Sequence, residues 1–167
     1  MWVRLSEPHN QSKEGTNMVR VFENLQEFKS EVGKEIGASP WVTITQDDID
    51  DFARVTRDQQ WIHVDPQRSA AGPFGSTIVH GYLVMSLIAS FSDEVYTVKG
   101  LESSLNYGSN RVRFPSPVPV GSKLRGVITL LEANELDSGT QLVTRVVVEC
   151  EGASRPACVA DVVYLMT

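Results

Sequence analysis

The sequence predicts an α+β fold in which one antiparallel sheet curls around one buried helix. Helix-spaced apolar residues lie early in the chain, and short β-rich segments occupy the part after Gly100. Between them, the stretch from His80 to Phe91 is apolar on nearly every side of a helix, with Ser86 and Ser90 as small polar interruptions. Such a helix must be enclosed by other structure, which makes it the natural centre of the fold. The 167 residues, 41% hydrophobic and 22% charged, suffice to bury a core of that kind within one domain.

Taken in order, residues 1–17 are polar and aperiodic, which predicts a disordered extension ahead of a single domain over 18–167. Phe22, Leu25, Phe28, Val32 and Ile36 recur at spacings of three and four, so an amphipathic helix is expected from Phe22 to Ile36, closed by Gly37 and Pro40. Trp41-Val42-Thr43-Ile44-Thr45 is β-branched and aromatic and reads as a strand. Thr45 then offers an N-cap hydroxyl, with Asp47 and Asp48 in the first turn of a helix ending near Thr56. Ile49, Phe52, Ala53 and Thr56 share one face of it, and Asp50 is expected to pair with Arg54.

From Arg57 to Val79 the only regular element expected is a short helix started by Asp65-Pro66. A long irregular segment inside a compact domain is uncommon and is often where function sits. Beyond the central helix, strands are expected over Leu101 to Tyr107, Arg111 to Phe114, Leu124 to Leu131, Leu142 to Cys150 and Ala157 to Met166. The alternation of Leu142, Thr144, Val146 and Val148 with their neighbours marks a strand buried more on one face.

A net charge of -6 and a pI near 5.0 leave no surplus of cations to replace phosphate counterions, which argues against a nucleic-acid or anionic-membrane protein. There is no apolar run of 18 residues, and residues 1–18 lack an apolar core, so a cytoplasmic location is expected, with neither a membrane span nor a secretory signal. Cys150 and Cys158 flank a turn-like stretch and are expected as free thiols on neighbouring strands.

The irregular segment carries the candidate chemistry. Asp58 and His63 place a carboxylate and an imidazole five positions apart directly after a helix. Converging on one water, they can position it and share the two proton transfers of an addition or elimination beside a carbonyl. Asp58 capping a turn and His63 satisfied in the core is the plainer account of the same pair. Gly81, at the start of the apolar helix, can present its amide to an oxyanion, or can serve close packing.

Residues 52–91, FARVTRDQQWIHVDPQRSAAGPFGSTIVHGYLVMSLIASF, followed by NYGSNRVRFPSPVPVGSKLRG at 106–126, resemble the MaoC-like (R)-specific enoyl-CoA hydratases, most closely the single-domain branch related to the nodulation protein NodN. The resemblance runs from about Trp41 to Met166 and rests on the motif aromatic-x-x-x-small-Gly-Asp-x-Asn-Pro-hydrophobic-His-x-Asp. It implies a hot-dog fold, a bent antiparallel sheet around a central helix, usually paired into a dimer or built into larger assemblies, so that a homodimer is expected here. It also implies reversible hydration of trans-2-enoyl thioesters of coenzyme A or acyl carrier protein to (R)-3-hydroxyacyl thioesters, with no cofactor or metal. Asp58 and His63 fall on the motif acid and histidine, which would activate the water, and Gly81 falls on the backbone donor to the thioester oxyanion.

Gln60, Trp61, His80, Asn106, Tyr107 and Arg111 are the substrate-contact candidates carried by the same likeness. Gln60 and Trp61 also fit loop satisfaction and packing. Arg111, with Arg113, Lys123 and Arg125, fits either the phosphates of coenzyme A or a solvated strand face. The pattern is departed from at Arg57, where glycine is usual, at Gln60-Trp61 in place of Asn-Pro, and at Ala89 in place of a serine.

A metal site is not expected, since His63, Asp65 and His80 lack recognisable ligand spacing. Two other functions stay open: a hot-dog thioesterase, and a non-catalytic acyl-thioester-binding or scaffold subunit of a paired dehydratase.

Overall fold

Inward-facing Leu124, Ile128 and Leu130, then Leu142, Val146 and Val148, then Cys158, Ala160 and Val162, alternate along three long strands and are at most 3% exposed. That alternation gives one apolar face to a sheet that needs a cover. The computed structural model describes residues 19–167, so the extension expected over 1–17 lies outside the described residues. The elements run β1 (Arg20–Phe22), α1 (Leu25–Lys29), β2 (Glu35–Ala38), β3 (Val42–Thr43), α2 (Gln46–Thr56), α3 (Trp61–Val64), α4 (Pro66–Ala70), α5 (Gly81–Ser86) and α6 (Ile88–Val95). They continue as β4 (Tyr96–Val98), β5 (Ser104–Arg113), β6 (Lys123–Leu136), β7 (Gly139–Cys150) and β8 (Cys158–Met166).

The main sheet is antiparallel in the order β2-β6-β7-β8-β5, with β3 also pairing β6. Its apolar face receives the central helix. Segments α5 and α6 behave as one rod with an irregular joint at Leu87, because Leu87 N–H still donates to Leu83 O at 3.1 Å and Phe91 N–H to Leu87 O at 2.9 Å. Val84, Ile88, Phe91 and Val95 form the buried stripe. Phe91 sits so close to β6 that a Cβ on Gly126 would lie 2.8 Å from its own Cβ, a contact only glycine permits. The fold is the hot-dog fold.

Five expectations need correction. The helix from Phe22 to Ile36 is short, and its ends are β1 and β2. Gly33 turns the chain with φ +86, and Ile36 then sits at a bulge in β2, whose Glu35, Gly37 and Ala38 pair with β6, so the apolar spacing merges three elements into one apparent face. The strand expected over Trp41 to Thr45 contracts to two residues, since Ile44 pairs its main chain with the turn at Gly121 and Ser122. Arg54 pairs with Asp51 at 3.1 Å, and Asp50 instead accepts from Gln46. The central helix is open on one side: Tyr82 is 71% exposed and Ala89 is also exposed.

The two strands expected over 101–114 are one strand, β5, carried through by register shifts near Tyr107 and Asn110. The parallel pair β1 and β4, held by a Phe22-Phe28-Tyr96 aromatic cluster, and helix α3 have no clear sequence signal. Both cysteines are free, as expected, and burial pushes the Cys158 thiol up to about 11.

Gly126→Ala should lower the stability to urea by about 1 to 3 kcal/mol, because Phe91 must shift to admit the methyl group. Equilibrium unfolding monitored by circular dichroism measures it.

Candidate active site

Thr45 and Asp48 close a reciprocal capping box that starts α2, and the helix ends on Arg57, which takes a left-handed conformation at φ 66 and ψ 14. That reversal delivers Asp58 to the start of the irregular segment. An L-residue in this region costs roughly 1 kcal/mol relative to glycine, the residue the family pattern has here. Asp58 stays half exposed, at 52% of its side chain.

The rest of the segment hangs on main-chain pairs. Val79 N–H donates to Val118 O at 2.8 Å, Val120 N–H to Thr77 O at 3.0 Å, and Ile78 N–H to Ile62 O at 3.0 Å. Gln46 acts as a clamp from the first turn of α2: its amide N–H donates to His63 O at 2.8 Å, and its carbonyl accepts from Thr77 Oγ1 at 2.6 Å. Neither Gln46 nor Ile78 was legible as a site residue, because the role of each depends on a distant main-chain partner.

His63 is buried, and its Nδ1 lies 2.6 Å from Ile78 O. A carbonyl oxygen can only accept, so Nδ1 carries the proton and Nε2 of the neutral ring is a bare acceptor. His80, 2% exposed, is in the same way committed by Asp58 O, which accepts from its Nε2–H at 3.1 Å. The two imidazoles stack at 3.7 Å between centroids and 22° between planes, and Phe52 packs on His80. Burial is the largest influence holding His80 below the usual histidine range, opposed by its hydrogen bond to Asp58 and reinforced by nearby His63.

Asp58, His63 and His80 thus place one donor atom each within 4.8 Å of one another. A metal bonds to imidazole nitrogen in the plane of the ring, and two face-stacked rings direct their in-plane lone pairs side by side, so the set suits a shared ion poorly.

Gly81 opens α5, so its N–H has no partner within the helix. It lines, with His63, a cleft of about 340 Å³ whose other walls include Phe74, Val84, Phe114 and Val118. A Cβ on Gly81 would sit 3.1 Å from the Phe114 ring. The arrangement brings a proton acceptor and an unpaired amide to an apolar cavity, with the Asp58 carboxylate beside the histidines but not among the residues that line it.

The remaining candidates lie elsewhere. Gln60 is exposed and precedes α3. Trp61 packs under Arg68, 4.3 Å from its ring, and against Gly72, and it does not line the cleft of His63 and Gly81. His80 does not line it either. Asn106 borders a separate cavity of about 330 Å³ with Ala89, Ser92, Tyr96 and Tyr164. Tyr107 and Arg111 are exposed on β5.

The fold is that of a hot-dog domain, with a histidine and a helix-start amide at one cleft and an acid beside them, and comparison with known proteins identifies its family. The family profile described as "MaoC like domain" matches residues 27–152. The 3-hydroxyacyl-thioester dehydratase Z of Mycobacterium tuberculosis is 48% identical over 144 residues, covering 86% of this chain and 95% of that protein. Nodulation protein N of Rhizobium leguminosarum bv. viciae is 42% identical over 142 residues, covering 83% and 88%. Among solved structures, the (R)-hydratase of A. caviae involved in PHA biosynthesis superposes with a TM-score of 0.67 at 24% identity, over 81% of this chain and 96% of that one. The chain belongs to the MaoC-like dehydratase family.

Two outcomes test this geometry. Arg57→Gly should raise stability by about 0.5 to 1 kcal/mol, read from chemical denaturation, because it relieves the left-handed residue. His80 is held below its ordinary value of 6.5, so the unfolded chain binds the proton more readily. Stability should therefore fall as pH drops through about 6.5, and His80→Phe should flatten that part of a melting-temperature profile.

Proposed function

We propose that this protein hydrates trans-2-enoyl thioesters to (R)-3-hydroxyacyl thioesters and runs the same step in reverse as a dehydratase. The observation that carries the reading is the bare Nε2 of buried His63 at an apolar cleft shared with Gly81, with Asp58 alongside. The relatives named as a dehydratase and an (R)-hydratase support it.

Water held between the Asp58 carboxylate and His63 Nε2 gives its proton to Nε2 as its oxygen bonds to C3. The π electrons of the C2=C3 bond shift toward the thioester, whose oxygen gains charge only as attack proceeds. Gly81 N–H meets that charge, so it stabilises the transition state more than the substrate. The imidazolium then returns the proton to C2, which balances the addition without a cofactor.

The apolar walls of Phe74, Val84, Phe114 and Val118 fit an acyl chain. The thioester carrier is coenzyme A or acyl carrier protein. A homodimer, in the cytoplasm, completes the proposal. β5 is a sheet edge, its Leu105 and Tyr107 are 55% and 67% exposed, and the open side of the central helix shows Tyr82, so this face calls for a cover.

Crotonyl-CoA should lose its enoyl absorbance with thiol release at background, and the product should be the (R)-alcohol by chiral chromatography. Free thiol would instead identify a thioesterase. Asp58→Asn and His63→Ala should each lower kcat by about 10² to 10⁴ with folding intact. Full turnover in both variants would place the chemistry on other residues, and absence of turnover in the parent protein would point to a scaffold subunit.

A further inference from the structure

Among the described residues, two buried side-chain polar atoms lack a hydrogen-bond partner, His80 Nδ1 and Thr144 Oγ1. A residue kept for packing alone has no need of the first, because an apolar ring fills a similar space and strands no polar atom. The other edge of the ring supplies a reason to keep an imidazole. Its Nε2–H reaches back 22 residues to Asp58 O. Every other hydrogen bond made by residues 58–60 spans at most three residues, and two of them are 3.4 Å long. The face of the same ring lies on His63, whose edge is pinned by Ile78 O.

We propose that His80 is a positioning residue for both members of the dyad, its Nε2–H tethering the Asp58 main chain to the start of the central helix and its face fixing the plane of the His63 ring. The proposal rests on the hydration reading for its effect on rate, and on geometry alone for the tether. His80 sits at the N-cap of α5 and makes no capping bond, so its side chain is free of the usual task of that position. Burial disfavours the charged form of the ring, which suits a stack at 3.7 Å in which two imidazolium charges would repel. A loop residue such as Asp58, half exposed and reached from outside its own loop by His80, whose Nε2 bonds Asp58 O at 3.1 Å and lies 4.0 Å from the carboxylate, is the member that gains most from a tether. Misplacement of a reacting group by about 1 Å can lower a rate about a hundredfold, so the tether bears on turnover without touching substrate.

Two substitutions separate the tether from packing. His80→Phe keeps an aromatic face and removes the donor. His80→Gln keeps an amide N–H of similar reach. The expected result is that kcat on crotonyl-CoA falls about ten- to a hundredfold in His80→Phe with KM within about twofold, and that His80→Gln recovers most of the loss. Hydrogen–deuterium exchange gives a readout independent of turnover: the amides of residues 57–60 should exchange faster in His80→Phe, while α2 and the sheet keep the parent rates.

Unchanged exchange at 57–60 overturns the proposal. So does a loss of kcat equal in both variants that tracks the folded fraction, since packing alone would give it. A rise in KM at constant kcat also overturns it, because that marks direct substrate contact. If the parent protein fails to hydrate crotonyl-CoA while the exchange pattern holds, the hydration reading falls and the tether stands.

Discussion

The seating of one apolar stripe, Val84, Ile88, Phe91 and Val95, in the concave face of the sheet is the contact on which the rest of the structure depends. Each of these side chains is 4% exposed or less. Full burial of such a group is worth about 1.5 to 3 kcal/mol, so the four together match the scale of a domain's whole stability. The absence of a side chain at Gly126 lets Phe91 approach the strand backbone, and this sets both the depth and the azimuth of the rod. Since His80 and Gly81 open the rod, the same contact sets where the Gly81 amide meets the cleft and where the His80 ring meets His63.

The segment from Arg57 to Val79 is irregular in outline but anchored to this frame at several points. Main-chain bonds fasten Thr77 and Val79 to the loop before β6, Gln46 grips His63 O, and Ile78 O selects the His63 tautomer. A buried histidine with one nitrogen committed to a carbonyl presents the other as an acceptor without needing a charged partner. The carboxylate stands differently, half in solvent, so the pair presents two acceptors of unlike environment.

The legible part of this design was the part written in local periodicity and chemistry. The alternation through Leu142, Thr144, Val146 and Val148, the Thr45 cap and the Asp65-Pro66 start all depend on near neighbours, and all are found. The helix extended to Ile36 failed because strand pairing with β6 outweighed an apolar spacing that several elements happened to share. Asp58, His63 and Gly81 stood out by residue type and by the family motif. The tethers did not, since Gln46 and His80 act through main-chain atoms 17 and 22 residues away, and no local pattern records such a partner.

The departures from the family pattern can be understood on the same basis. Arg57 adopts the left-handed turn that glycine would take more easily, so the chain reverses at the required place and Asp58 emerges in reach of His80. Gln60-Trp61 replaces a pair whose value would be conformational. Here the conformation is held by His63 N–H on Gln60 O at 2.9 Å, by Ser69 Oγ on Trp61 O at 3.1 Å, and by the packing of Trp61 between Arg68 and Gly72. Backbone geometry can be specified by a conformationally specialised residue or by the contacts around an ordinary one. In this chain the contacts do that work, so residue identity is free to drift at positions where geometry is not.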